Sequence, residues 1–200
     1  GEGSYVLITG CTSGIGREYA FQLAQKGFNI VLVSRNTKKL TDLKNELSTL
    51  YQNQHFTIYT IDFAVDGDTE SYSRMYNATK DFDIALVINN AGQFCSGYFA
   101  DSDIQKVHDI VKVNAVAPAM ITRMYLPKLK MRKHAGLIIV SSSNTFWPTP
   151  LMQPANATKI FLNNITEGLR MENPNLDIML TKPGRVSGTN IRGPNAKATK

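Results

Sequence analysis

Residues 5–16 read Tyr-Val-Leu-Ile-Thr-Gly-Cys-Thr-Ser-Gly-Ile-Gly, and this stretch decides the fold. Val6–Thr9 reads as a short buried strand, Gly10 as a bend, and Gly14-Ile15-Gly16 as the opening of a helix. Glycines at 10, 14 and 16 let the backbone come close to a phosphate and aim the first N–H groups of a helix at it. Three neighbouring glycines are a weak signal alone; a strand before them and a helix after them supply the context. The turn points to a dinucleotide held by Gly10, Thr12, Ser13, Gly14, Ile15 and Gly16.

The alternation that starts here continues to the far end. Ile15–Lys26 carries Ile15, Tyr19 and Leu23 at helical spacing and stops at Gly27. Strands are predicted at Asn29–Ser34, Phe56–Ile61, Ile84–Asn89, Leu137–Ser141 and Asp177–Thr181. Helices are predicted at Lys38–Leu50, Thr69–Lys80, Ser102–Leu126 with a kink at Pro118, and Ala155–Met171. Continuous apolar strands separated by helices predict an α/β fold: a Rossmann-type, doubly wound parallel sheet in three layers. One domain over residues 1–192 and a polar tail over 193–200 are expected. Gly1 in place of Met predicts a processed or incomplete N-terminus, which leaves an upstream anchor open.

The 200 residues suffice for one domain with a sizeable core. No apolar run approaches the length of a membrane span, and no signal peptide is evident. Two unpatterned cysteines, Cys11 and Cys95, suit a reducing, intracellular compartment better than a disulfide framework. Cys11 lies inside the phosphate turn, either as a small turn residue or as a place where oxidation would register. The net charge of +6 suits an anionic cofactor, partner or membrane surface. The cluster Lys128, Lys130, Arg132, Lys133 reads as the cationic end of a helix. No groove-reading or stacking motif accompanies it, so nucleic acid is not expected as a partner. His55, His108 and His134 are isolated, and no metal site is predicted.

The end of the second strand bears on the choice of cofactor. An NAD site places Asp or Glu there, to accept from the ribose 2′-hydroxyl. Here the residues are Ser34 and Arg35. A guanidinium in place of a carboxylate removes a repulsion and supplies a forked donor for a 2′-phosphate, which favours NADP(H) over NAD(H). The alternative is that Arg35 is an exposed loop charge. Asp62 and Phe63 follow the third strand, placed to border an adenine ring. Asn90, Ala91 and Gly92 follow the fourth, where small residues admit a ribose.

Thr9-Gly-Cys-Thr-Ser-Gly-Ile-Gly16, Asn89-Asn-Ala-Gly92, Asn114, Ser142, Lys159 and Pro183-Gly184 occur in one order that resembles the short-chain dehydrogenase/reductase superfamily over nearly the whole chain. Residues 27–36 and 148–151 resemble the branch of long-chain 3-oxoacyl-CoA reductases and hydroxysteroid dehydrogenases. The resemblance implies hydride transfer between a nicotinamide dinucleotide and a carbonyl of acyl-CoA or steroid type. It assigns Asn114 to a proton-relay water, Ser142 to polarising the carbonyl, and Lys159 to the ribose and to a neighbouring tyrosine. Pro183 and Gly184 border the cofactor. The branch also implies the endoplasmic reticulum, with a mitochondrial assembly equally compatible, and either a homodimer or a subunit of something larger.

The implied tyrosine is missing. It belongs four residues before Lys159 and thirteen after Ser142, and both counts land on Ala155. A positioned general acid contributes about 10²–10⁴-fold, or roughly 3–5 kcal/mol of barrier. Nucleotide binding does not need the phenol. The expectation is therefore a nucleotide-binding or structural subunit with impaired or absent catalysis. The alternatives are a reductase with a substitute proton donor, and a working enzyme carrying an introduced Tyr-to-Ala change. The chain also ends soon after the sixth strand, without the seventh that the resemblance implies, and Thr189 stands displaced from the usual position after Pro183-Gly184.

Overall fold

The computed structural model describes Gly3–Val186; the expected tail at 193–200 and Thr189 lie outside the described residues. Six strands form one parallel sheet: β1 (Tyr5–Thr9), β2 (Asn29–Ser34), β3 (Phe56–Thr60), β4 (Ile84–Asn89), β5 (Gly136–Val140) and β6 (Asp177–Thr181). The spatial order is β3-β2-β1-β4-β5-β6, so the winding reverses between β1 and β4. The helices are α1 (Gly14–Gln25), α2 (Thr37–Leu50), α3 (Thr69–Thr79), α4 (Ile104–Val111), α5 (Ala117–Met131) and α6 (Gln153–Glu172).

Side chains alternate across each strand, and the two resulting faces make two cores. Val6, Ile8, Ile30, Leu32 and Ile88 meet Ala20 and Ala24 of α1 and Leu40, Leu43 and Leu47 of α2. Leu7, Val31, Val33, Val87, Leu137 and Ile139 meet Met75 of α3, Ile121, Tyr125 and Leu129 of α5, and Leu162 of α6. Burial on both faces is why these strands are continuously apolar. Truncating a fully buried member such as Ile8 to Ala would cost about 2–5 kcal/mol.

The expected single helix over Ser102–Leu126 is instead α4, a π turn at Lys112–Val116, and α5. Pro118 has no N–H to give the carbonyl of residue 114, and the helix leaves α geometry in the turn just before it. The turn widens, and the Ala117 N–H bonds the Lys112 carbonyl five residues back. Pro118 thus sits in the first turn of α5 rather than at a kink. α5 closes with Lys128 and Lys130 in its last turn, as the charge pattern predicted. Among the described residues no helix is long and apolar enough to cross a membrane.

Candidate active site

The carboxyl ends of the strands converge on the crevice where the winding reverses, the place where open α/β sheets bind ligands. Gly10 follows β1 with φ 64°, and Gly14 opens α1 with φ 53°. A Cβ added to Gly10 would lie 2.8 Å from the Ala91 Cα, and one on Gly16 would strike the Asn90 side chain and the Gly10 carbonyl. The turn is therefore as narrow as it can be, and only glycine fits.

The start of α1 differs from those of α2, α3 and α4; α5 and α6 also lack a side-chain cap, but only α1 follows the glycine turn. Asn36, Asp68 and Asp103 cap α2, α3 and α4, each accepting from a first-turn N–H. Ser13 at the N-cap of α1 makes no such bond, and no acidic side chain stands in the first turn. A helix start that keeps its N–H groups free and its positive end uncompensated fits a pyrophosphate.

Neighbouring strands brace this cradle. The Gly10 N–H donates to the Val33 carbonyl at 2.8 Å. Thr12 Oγ1 and Ser34 Oγ are 3.1 Å apart, tying the turn to the end of β2. Thr9 Oγ1 accepts from both the Asn90 and Ala91 N–H groups at 3.0 Å. Asn90 Nδ2 donates to the Thr9 carbonyl at 2.9 Å and the Gly10 carbonyl at 3.1 Å, so its side chain supports the turn. Arg35 is exposed at the mouth, 3.8 Å from the Asp62 carboxylate. Phe63 is buried and packs on Tyr72, so what it offers a ligand is its main chain. Cys11 is wholly buried, its thiol donating to the Val33 carbonyl at 3.6 Å and pushed up to about 12 by burial. It is an inert turn residue rather than an oxidation reporter.

The residues expected around the reacting carbonyl are also gathered. Asn114, fully buried in the π turn, accepts from the Gln93 N–H at 2.7 Å. Its Nδ2 donates to the Gln93 carbonyl at 2.9 Å and to Thr158 Oγ1 at 3.2 Å. Ser142 follows β5 and caps a short 3₁₀ turn, its Oγ accepting from the Asn144 N–H at 3.2 Å. The Ser143 N–H donates to the Pro183 carbonyl at 3.0 Å, which brings Pro183 and Gly184 against this turn. Lys159, half-buried on α6, donates from Nζ to the Val140 carbonyl at 2.7 Å. Burial alone pushes its ammonium down to about 8.

Ala155 lies one turn before Lys159, buried in α6, which begins two residues earlier than expected, at Gln153. Among the described residues no tyrosine hydrogen-bonds to Lys159. Tyr125 is buried against Thr79 at 2.5 Å in the α3–α5 core, and Tyr98 is exposed.

Three supporting roles escaped the sequence reading. Thr9, Gln93 and Thr158 work through contacts with residues remote in the chain, which no local pattern records. Gln93 also accepts from Lys106 Nζ at 2.8 Å, extending the network to α4. Among the described residues no cluster of three metal-ligating side chains occurs.

Comparison with known proteins identifies the family. The short chain dehydrogenase family matches residues 4–200. The very-long-chain 3-oxoacyl-CoA reductase of Coccidioides immitis is 33% identical over 173 residues, covering 86% of this chain and 49% of the reductase. The inactive hydroxysteroid dehydrogenase-like protein 1 of Pongo abelii is 33% identical over 172 residues, covering 85% of this chain and 51% of that protein. The chain thus spans about half the length of these curated relatives. A short-chain dehydrogenase from Sphingobium yanoikuyae solved with NADPH superposes with a TM-score of 0.86 at 25% identity, covering 94% of this chain and 73% of that one. The uncapped helix behind a glycine turn, the parallel sheet wound from a β1/β4 reversal and the match over residues 4–200 lead to one conclusion: this chain belongs to the short-chain dehydrogenase family.

Proposed function

We propose that the chain binds NADP(H) and that its carbonyl reduction is impaired or absent, leaving it to act as a nucleotide-binding or structural subunit. One observation carries this reading: the glycine cradle is braced and its helix start uncapped, while the side chain one turn before Lys159 is a methyl group with no proton to give. The residues fit a nicotinamide dinucleotide. The first turn of α1 would hold the pyrophosphate, and Ser34 and Arg35 a 2′-phosphate. Asp62 and the main chain of Phe63 would border the adenine. Ala91 and Gly92 would admit the nicotinamide ribose, with Lys159 on its hydroxyls and Pro183-Gly184 alongside. When bound, the reduced cofactor supplies the hydride. This chain's part is to exclude water, to present Ser142 to a carbonyl oxygen, and to hold Asn114 and Lys159 rigid.

The 3-oxoacyl-CoA reductases among the relatives support an acyl-CoA or keto-steroid carbonyl as the ligand type, and the inactive dehydrogenase-like relative supports loss of turnover. The expected assembly is a homodimer or a larger complex of which this chain is one subunit.

The test is NADPH binding, read by nicotinamide fluorescence, beside reduction of 3-oxoacyl-CoA and keto-steroid substrates. Binding with little or no turnover is expected. Ala155→Tyr, which places a phenol one helical turn from Lys159, should raise turnover about 10²–10⁴-fold with binding unchanged. Fast turnover by the unaltered chain would refute the impaired reading. A second reading, an otherwise intact reductase, draws on the ordered Asn114–Gln93–Thr158 network around the gap. It predicts that Ala155→Tyr reaches the rate of a competent enzyme in one step.

A further inference from the structure

We propose that the two loops bordering the crevice form a docking surface for an anionic lipid bilayer, with the rings of Tyr98, Phe99, Phe146 and Trp147 seated among the headgroups. The proposal stands apart from the nucleotide-binding reading above.

The placement of aromatic rings points there. Tyr98, Phe99, Phe146 and Trp147 are 73%, 61%, 62% and 66% exposed, and among the described residues no other phenylalanine or tyrosine is more than half exposed. All four lie on two loops at the carboxyl edge of the sheet: Tyr98 and Phe99 after β4, Phe146 and Trp147 after β5. The loops are joined, since the Gly97 N–H donates to the Leu151 carbonyl at 2.9 Å. Leu151 is itself exposed and adds to the apolar surface. Clustered apolar side chains of this kind mark an interaction surface. Tyr and Trp favour the boundary between membrane and water, where the ring meets acyl chains and the polar tip stays wet.

The second loop presents its rings stiffly. The Phe146 and Trp147 centroids are 6.0 Å apart. Pro148 and Pro150 flank Thr149, whose Oγ1 reaches the Asn144 carbonyl at 3.2 Å and the Trp147 carbonyl at 3.3 Å. Gln153 Nε2 donates to the Thr149 carbonyl at 3.2 Å. A ring held on a braced turn loses little freedom when it inserts.

Charge selects the kind of lipid. Lys182 Nζ lies over the Phe146 ring, 4.9 Å from its centroid, and makes no ion pair among the described residues. Arg185 follows three residues on and is exposed. Residues 142–159 carry no Asp or Glu, and neither do residues 178–186. The carboxylates of the facing loop are Asp101 and Asp103, and Asp103 is engaged by the Lys106 N–H at 2.7 Å. A cation resting on an apolar ring, with no carboxylate beside it, suits a lipid phosphate at the depth where rings meet acyl chains. Seating is shallow, about 5–10 Å into the boundary, and needs no spanning helix. The basic cluster from Lys128 to Lys133 closes α5 just before β5 begins, at the amino edge of the sheet, and so faces away from these loops.

Trp147 is the only tryptophan of the chain, so its emission reports on this surface alone. The full chain is mixed with vesicles of phosphatidylcholine, or of phosphatidylcholine with phosphatidylserine, and binding is read by sedimentation and by Trp147 fluorescence. Blue-shifted emission and quenching by brominated acyl chains are expected with the mixed vesicles. Their affinity should exceed that of neutral vesicles roughly 25-fold, at about fivefold for each of Lys182 and Arg185. Phe146→Ser, read by Trp147, and Trp147→Ser, read by sedimentation, should each lose about tenfold or more. Lys182→Gln should lose about fivefold on mixed vesicles and little on neutral ones. Lys130→Gln combined with Lys133→Gln, at the opposite edge, should bind as the unaltered chain does. Urea midpoints establish that each variant is folded. Failure to bind mixed vesicles, equal binding to both kinds, binding retained when Phe146→Ser and Trp147→Ser are combined, or loss confined to the Lys130 and Lys133 pair would each overturn the proposal. So would a Trp147 shift that follows protein concentration without vesicles, which assigns the surface to a second copy of the chain.

Discussion

Gly10→Ala tests the cradle most directly, and its cost can be worked from the structure. Gly10 stands at φ 64°, where an L side chain costs roughly 1–2 kcal/mol. The new Cβ would also lie 2.8 Å from the Ala91 Cα and 3.1 Å from its nitrogen, well inside an ordinary carbon contact of about 3.5–4.0 Å. The obstacle is main chain, and it is held: the Asn90 and Ala91 N–H groups both donate to Thr9 Oγ1 at 3.0 Å. Relief by displacement would break those bonds, and compression without displacement costs about 1–3 kcal/mol more. The sum is roughly 2–5 kcal/mol of stability. Urea unfolding should show a lower midpoint with an unchanged slope. NADPH affinity of the remaining folded protein should drop at least about tenfold, because a 1 Å shift of the turn misaligns the N–H groups. Unaltered stability together with unaltered affinity would refute the reading of this turn as a close-packed phosphate cradle.

Other substitutions and treatments give separate checks. Gly168→Ala in α6 meets nothing within 4 Å and should stabilise by about 0.5–1 kcal/mol in the same urea assay, the opposite sign to Gly10→Ala. Arg35→Ser should weaken NADPH binding about 10- to 100-fold and leave NADH binding nearly unchanged, as expected for a charge-assisted bond worth about 1.5–3 kcal/mol; equal losses for both would remove the case for a 2′-phosphate contact. Cys11, buried with its thiol raised to about 12, should resist iodoacetamide in the native protein at pH 8 and react only on unfolding, whereas partly exposed Cys95 reacts first. Mass spectrometry of the two peptides reads this, and rapid native labelling of Cys11 would contradict the packing of the turn.

The sequence was most informative where function depends on local geometry. Glycine at 10 and 16 is dictated by a left-handed bend and by contacts closer than a Cβ allows. Ser13 could be recognised as a helix start, but its failure to cap could not, because capping depends on where a hydroxyl turns. Phe63 is adjacent to Asp62 and was expected beside an adenine. Its ring is buried against Tyr72, in the turn that follows β3, where no strand alternation marks the direction in the sequence. The chain segment at 102–126 has unbroken helical periodicity, and periodicity does not reveal that Pro118 starves residue 114 of an N–H four places back.

By itself the sequence determined the alternation of strands and helices, their burial on both faces, the glycine turn and the absence of a tyrosine four residues before Lys159. These follow from side-chain period, glycine conformation and identity at fixed spacing, all of which act within a few residues. Only the tertiary structure decided the order β3-β2-β1-β4-β5-β6, the clamp of Thr9 on Asn90 and Ala91, the hold of Gln93 on Asn114, and the Val140 carbonyl on which Lys159 rests. Those pair residues 19 to 82 positions apart, and their energy exists only once the sheet has brought the strand ends to one edge.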